Sequence, residues 1–208
     1  MASLVSARTV PENETATEDE PMSDTINQAS TATIWALDPT HTLVEFSAKH
    51  MMITTVKGRF TDVKGEIHMD ETHPDRSSVQ AELGTASIST GVDQRDAHLR
   101  SGDFLDVENF GAITFASKRI EGAVDRPGES FELVGDLTIR GTTREVTLEV
   151  GYDGRGRDPW GGERVSFSAT GKIDRREFGL TWNTALETGG ILVGNDIKIS
   201  IEAQAVRQ

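Results

Sequence analysis

The 208-residue sequence contains no cysteine. That single absence excludes disulfides, thiol nucleophiles and every Cys-ligated zinc or iron–sulfur site. Basic residues are scarce: 21 Lys and Arg stand against 34 Asp and Glu, a formal charge of -13. Such a balance argues against nucleic acid as a partner, since phosphates are neutralised by Lys and Arg. It argues equally against a basic patch held to anionic lipid. No uncharged apolar run approaches the roughly 18–20 residues of a membrane helix, so no integral membrane association is expected. Catalytic signatures are missing as well: there is no G-x-S-x-G elbow, no P-loop and no H-E-x-x-H. Gly154–Pro159 fails the dinucleotide fingerprint at its last glycine and reads as a surface turn. The five histidines (His41, His50, His68, His73, His98) form no H-x-H pair and no His/carboxylate helix repeat, so no metal site is expected. His41 reads as a strand-entry turn residue, and His68 and His73 as solvated residues flanking a turn.

What is present divides near Thr33. Residues 1–33 hold six acidic residues and only Arg8 as a base, with two prolines, many Ser and Thr, and no aromatic. This stretch carries -5 of the charge and leaves -8 on the remaining 175 residues. It cannot bury enough apolar surface to offset its ordering entropy and is expected to be disordered. It has no apolar h-region, so the expected location is the cytoplasm. Residues 34–208 then form one domain.

Beyond Ile34, period-two alternation dominates. Val44, Phe46 and Ala48 alternate with polar residues, as do Val79, Ala81 and Leu83, and Ile113 and Phe115. The same holds for Val146 to Tyr152, Val165 to Ile173, and Ile197 to Ala205. Less regular segments at Lys57–Met69 and Phe131–Ile139 complete about eight strands. One apolar and one polar face per strand means an all-β fold, either a closed antiparallel barrel or a two-layer sandwich. The long strands favour the barrel. Gly58 and Gly65 suggest bends or bulges in its wall. Asp125–Gly128 and Arg157–Gly162 carry turn chemistry. Between strands, Asp93–Arg100 is predicted as a short helix, with Thr90 and Asp93 at capping-box spacing and a stop at Ser101-Gly102.

Several motifs, in order, resemble the YceI-like family. They are Trp35-Ala-Leu-Asp-Pro-Thr-His41, Val44-Glu-Phe-Ser-Ala-Lys-His50, Val56-Lys-Gly-Arg-Phe60 with Gly65, and Ser87-Ile-Ser-Thr-Gly91. Arg95-Asp-Ala-His-Leu-Arg-Ser101 with Asp103, Phe104 and Asp106 follows, then Gly135–Gly141 and Ile173–Leu180. The resemblance implies a single extended, lipocalin-like, eight-stranded antiparallel barrel with a short helix between strands. It further implies an interior that holds a long isoprenoid or other amphiphilic chain, such as a polyisoprenoid or a quinone, with no cofactor required. Family members are often periplasmic or secreted, and a homodimer is a common assembly. Where the family usually places Tyr-Pro after the Asp106 region, this chain has Phe110-Gly111, which would loosen that turn.

An eight-stranded barrel can hold one small ligand, and burying a hydrocarbon tail is worth about 25 cal/mol per Å². Phe46, Ala48, Phe60, Phe104, Phe115, Phe167, Phe178 and Trp182 are the candidate tail-lining residues. Ala48, Ala81, Ala169, Ala203 and Ala205 would leave room for the tail. Candidate head-group contacts are His50, at the end of an inward set, and Arg95, His98, Arg100 and Arg175 at family motif positions. The last four also suit plain structural ion pairing. The expected function is therefore non-enzymatic binding, transport or sequestration of such a lipid. Two alternatives stay open: an enzyme using His98 or His50 beside a carboxylate on a small amphiphile, and a dimerising interaction module with a filled core.

Overall fold

The computed structural model describes residues 32–122, 128–185 and 190–208. The acidic segment 1–31 and the predicted turn residues 125–127 lie outside the described residues. Among the described residues there are eleven strands: β1 (Thr33–Leu37), β2 (Leu43–His50), β3 (Thr54–Phe60), β4 (Val63–Met69), β5 (Ser78–Gly84), β6 (Ile88–Ser89), β7 (Ala112–Glu121), β8 (Ser130–Ile139), β9 (Thr142–Arg157), β10 (Glu163–Asp174) and β11 (Val193–Arg207). One helix, α1 (Asp93–Arg100), follows β6.

These strands make one antiparallel ring. The pairing runs β1-β4-β5-β7-β8-β9-β10-β11 and returns to β1. β2 continues β1 along the same edge of β11, pairing Leu43 with Glu202 and Ala48 with Ile197. β3 then continues β4 beside β2, and β6 continues β5 beside β3. The wall is thus eight strand positions, three of them broken once, and the Lys57–Met69 segment read as one strand is interrupted at Thr61-Asp62. Closure removes the unpaired edges that an open sheet would expose. β9 and β11 run 16 and 15 residues.

Local chemistry fixes the connections. The β8–β9 hairpin turns on Arg140 and Gly141, with φ of 50° and 71°, the geometry of a two-residue type I′ turn. Asp158 accepts from the backbone N–H groups of Trp160 and Gly162 and closes the β9–β10 turn. Helix α1 has the predicted bounds but not the predicted cap. The N-cap is Val92, and no side chain caps it; instead the buried Asp96 accepts from both the N–H and the hydroxyl of Thr90. The Phe110-Gly111 turn is not loose. Thr85, almost fully buried, donates its N–H to Gly111 and its hydroxyl to Phe110, at 3.0 and 2.7 Å.

The two ends of the barrel differ. One end carries the 70–77 loop, the β9–β10 turn and the start of β1. There Trp35 is completely buried with Ile67, Val165 and Ala205. The opposite end carries the β2–β3 hairpin, α1 and the one-turn 3-10 segment Arg175–Phe178, and its core includes Phe60, Leu105, Ile139, Phe178 and Leu180.

Candidate functional site

Between these ends the barrel encloses a cavity of about 660 Å³, within the 300–1,000 Å³ range of ligand sites. Its wall includes Val193 and Ala203 of β11. Ten residues of strand at about 3.3 Å each, tilted by about 40°, give the cavity a run of about 25 Å along the barrel axis. Nearly all the wall is hydrocarbon, from Val, Leu, Ile, Ala and Phe side chains of every strand position. The interior is therefore not the filled core that a pure interaction module would show.

Glycines explain why so many large side chains leave a lumen. A Cβ built on Gly58 would meet the Phe46 ring at 2.4 Å, and one on Gly135 would meet the Phe115 ring at 2.5 Å. Leu148 occupies the same place over Gly171, and Leu37 over Gly65. These side chains lie down over glycines of a neighbouring strand instead of standing in the lumen, the arrangement by which aromatics cover glycines in curved sheets. Gly58 and Gly65, read from sequence as bends, are seats for Phe46 and Leu37.

Of the expected tail-lining residues, Phe46, Ala48, Phe60, Phe104, Phe115 and Phe167 do line the cavity. Phe178 and Trp182 do not. Phe178 is 1% exposed and packs in the core of the closed end, because the 3-10 turn points it beneath the floor. Trp182 sits edge-on to His98, with ring centroids 4.6 Å apart, and at 5.3 Å from Phe104, so it covers the outside of that floor. Ala48, Ala81, Ala169 and Ala203 leave room on the wall, whereas the space at Ala205 is taken by Trp35.

The expected head-group residues all lie toward the closed end, where the polar atoms of Arg95, His98, Arg100 and Arg175 are engaged. Arg95 donates to the hydroxyl and carbonyl of Thr90. Arg100 donates to the carbonyls of Ala86 and Ile88. His98 Nε2 lies 2.9 Å from Asp103, outside the cavity wall. His50 ends β2 opposite Thr54 and Val193 and is likewise not on the wall. The inward alternation of β2 stops at Ala48, and the chain turns through Met51 and Met52 at positive φ.

Arg175 does line the cavity, but as a tie. It is 2% exposed. Its guanidinium donates to the carbonyls of Gly194, Leu180, Trp182 and Val193 and to Asn195 Oδ1. Five acceptors match the five N–H donors of an arginine, so none remains for a ligand. Burial pushes its pKa down. Arg175 joins the 180–183 segment to the start of β11 and so builds the floor.

The polar part of the wall is at the other end, where Asp70, Glu71, Thr72, Ser77, Tyr152 and Arg155 line the cavity. Glu71 and Thr72 are exposed, so this is where the cavity meets solvent, whereas the floor residues Phe104, Leu105, Arg175 and Leu180 are all buried. Arg155 donates to Glu71 at 2.9 Å and to Glu163 at 3.1 Å, with its guanidinium 5.0 Å above the Trp35 ring. Glu71, foremost among these partners, holds the Arg155 pKa above its usual value. Glu163 also pairs with Arg157 and Arg207. Asp70 is buried and kept ionised by its own loop: the Thr72 hydroxyl, then the His73 and Thr72 N–H groups, lower its pKa. None of the mouth residues was singled out from sequence. Tyr152 was read only as the end of an alternating run, though it is the one tyrosine in the chain. The loop 70–77 has no alternation to mark which side chains turn inward.

Comparison with known proteins agrees with this architecture. Residues 35–205 match the family described as YceI-like domain. A UPF0312 protein of Staphylococcus aureus is 36% identical over 173 residues, covering 83% of this chain and 96% of the relative. Among solved structures, BcnA of Burkholderia cenocepacia superposes with a TM-score of 0.69 at 21% identity, over 81% of this chain and 98% of the other. A polyisoprenoid binding domain from Saccharophagus degradans superposes with a TM-score of 0.61 at 14% identity, over 84% and 98%. At these identities the two superpositions show the fold.

Proposed function

Since the chain belongs to the YceI-like family, we propose that it is a non-enzymatic carrier or sequestering protein for one isoprenoid-type lipid or quinone, tail inward and head at the mouth. The observation that carries this reading is the cavity: about 660 Å³, hydrocarbon-walled, closed by a buried floor and open at a polar rim. A tail gains about 25 cal/mol for each Å² of apolar surface it buries, and no directional contact is needed along its length. The Saccharophagus degradans domain bears a polyisoprenoid binding name on the same barrel, which supports this class of tail.

Binding suits the wall better than chemistry. The charged groups at its two ends are committed to one another or to backbone: Asp70 to its loop, Arg155 to Glu71 and Glu163, Arg175 to the floor. His98 and His50, the candidate acid/base residues, lie off the wall. Titration of the purified protein with a polyprenol in mild detergent should give saturable binding at one ligand per chain. Absence of saturable binding for polyprenols of every length tried would refute the carrier reading.

A further inference from the structure

The mouth has its own chemistry, and it bears on which head group the carrier takes; the inference rests on the carrier reading above. Four charged side chains at its two ends line the cavity: Asp70, Glu71, Arg155 and Arg175. Two are carboxylates, both at the mouth. Of the two cations, Arg175 gives all five donors to the floor, and Arg155 already faces two carboxylates. Glu163, the second partner of Arg155, is held in turn by Arg157 and Arg207, which are themselves off the wall. An anionic head entering here would meet the side chains of Asp70 and Glu71 and would have to displace a carboxylate to reach a guanidinium. Phosphate recognition ordinarily relies on Arg or Lys presented to the ligand, and no such cation faces this cavity among the described residues.

A neutral head meets different groups. The Tyr152 phenol, on the wall at the mouth, makes no hydrogen bond among the described residues and stands 5.4 Å from the Phe167 ring, centroid to centroid. Ser77 Oγ accepts from the Asp70 N–H, which leaves its own proton to donate. Tyr152 is half-buried, and its hydroxyl is not among atoms sealed from solvent, so an entering ligand can reach it.

We infer that the mouth selects an uncharged, hydrogen-bond-accepting head group such as an alcohol or a quinone carbonyl, with the Tyr152 phenol as donor, and discriminates against phosphate heads on the same tail. The discrimination comes from Asp70 and Glu71 and from the pairing of Arg155.

The test compares three probes of equal chain length on the full chain: a polyprenol, its monophosphate, and the corresponding hydrocarbon without a head. The monophosphate should bind at least tenfold more weakly than the polyprenol. Glu71→Gln, which removes a mouth carboxylate and releases one arm of Arg155, should narrow that gap. Tyr152→Phe should weaken the polyprenol about fivefold, the worth of one hydrogen bond, and leave the hydrocarbon unchanged. Equal or tighter binding of the monophosphate would overturn the inference while leaving the carrier reading standing, as would an unchanged polyprenol affinity in Tyr152→Phe. Failure of all three probes to bind would overturn the carrier reading itself and the inference with it.

Discussion

Gly58→Ala separates the cavity from the fold. The added methyl would lie 2.4 Å from the tip of the Phe46 ring and 2.8 Å from Thr90 Cγ2, so the ring must move. In a filled core it would have nowhere to go, and overpacking of that kind costs about 1–3 kcal/mol. Here the far end of a side chain is being displaced, and it faces an open lumen, so the stability cost should stay near the low end, about 1 kcal/mol. The ligand takes the loss instead. A ring standing in the channel would exclude about 100 Å² of tail surface, or about 2.5 kcal/mol at 25 cal/mol per Å². That corresponds to about 70-fold weaker binding. Equilibrium urea unfolding gives the first quantity and polyprenol titration the second. Unchanged affinity, or a loss of stability well above 3 kcal/mol with no separate loss of binding, would refute the view that Phe46 lies flat to keep a lumen open. Gly135→Ala is the contrasting case. Its methyl also meets the Ala116 carbonyl oxygen, at 2.6 Å, a backbone atom that cannot swing aside, so it should cost more stability than Gly58→Ala.

Two further outcomes follow from the ends of the barrel. Arg175→Lys keeps the charge but loses the planar fork, leaving at least two buried acceptors of the floor unpaired; at about 1–3 kcal/mol each, the cost should be about 3 kcal/mol or more in urea unfolding, and a cost below 1 kcal/mol would show that the floor does not depend on the guanidinium. Acid should unfold the chain in a defined window. Arg207, then Arg155, hold Glu163 down from 4.5 to about 2, and Arg176 holds Asp174 down from 3.8 to about 2. Both folded values lie below the unfolded ones, so this stabilisation is complete above about pH 4.5 and is lost as pH falls towards 2. The melting temperature should therefore be level from pH 7 to 5 and drop below that, less steeply in high salt because the pairs are solvent-screened; a drop already complete by pH 5 would contradict the assignment.

Much of the barrel was legible in the sequence because inward and outward positions of a strand differ in polarity. Val44, Phe46 and Ala48, and Ile197 to Ala205, report the wall directly, and the motif resemblance turned a barrel-or-sandwich choice into a closed barrel. What the pattern could not show was where a large side chain lies once it faces inward. Phe46 and Phe178 are both apolar residues expected to line the tail, yet one lines a channel and the other plugs its floor. The difference is made by Gly58 on a neighbouring strand, a non-local feature, and by the 3-10 turn at Arg175–Phe178, which breaks the alternation. The head-group candidates are placed away from the mouth for a related reason. Arg95, Arg100 and Arg175 sit in motifs, but the folded backbone presents them with carbonyl groups that need donors, so Arg95 and Arg100 tie α1 to the 86–90 segment and Arg175 builds the floor. The mouth is made by a loop, where neither period two nor period 3.6 marks the inward residues.

The central claim is that the barrel holds one chain-like hydrophobic ligand. Native mass spectrometry of the protein purified without detergent or organic solvent tests it most directly. The account predicts a peak carrying one noncovalent hydrophobic adduct per chain, released on activation and absent or diminished in Gly58→Ala. Protein that is always found at its bare mass, and that stays bare after incubation with polyprenols, would contradict it.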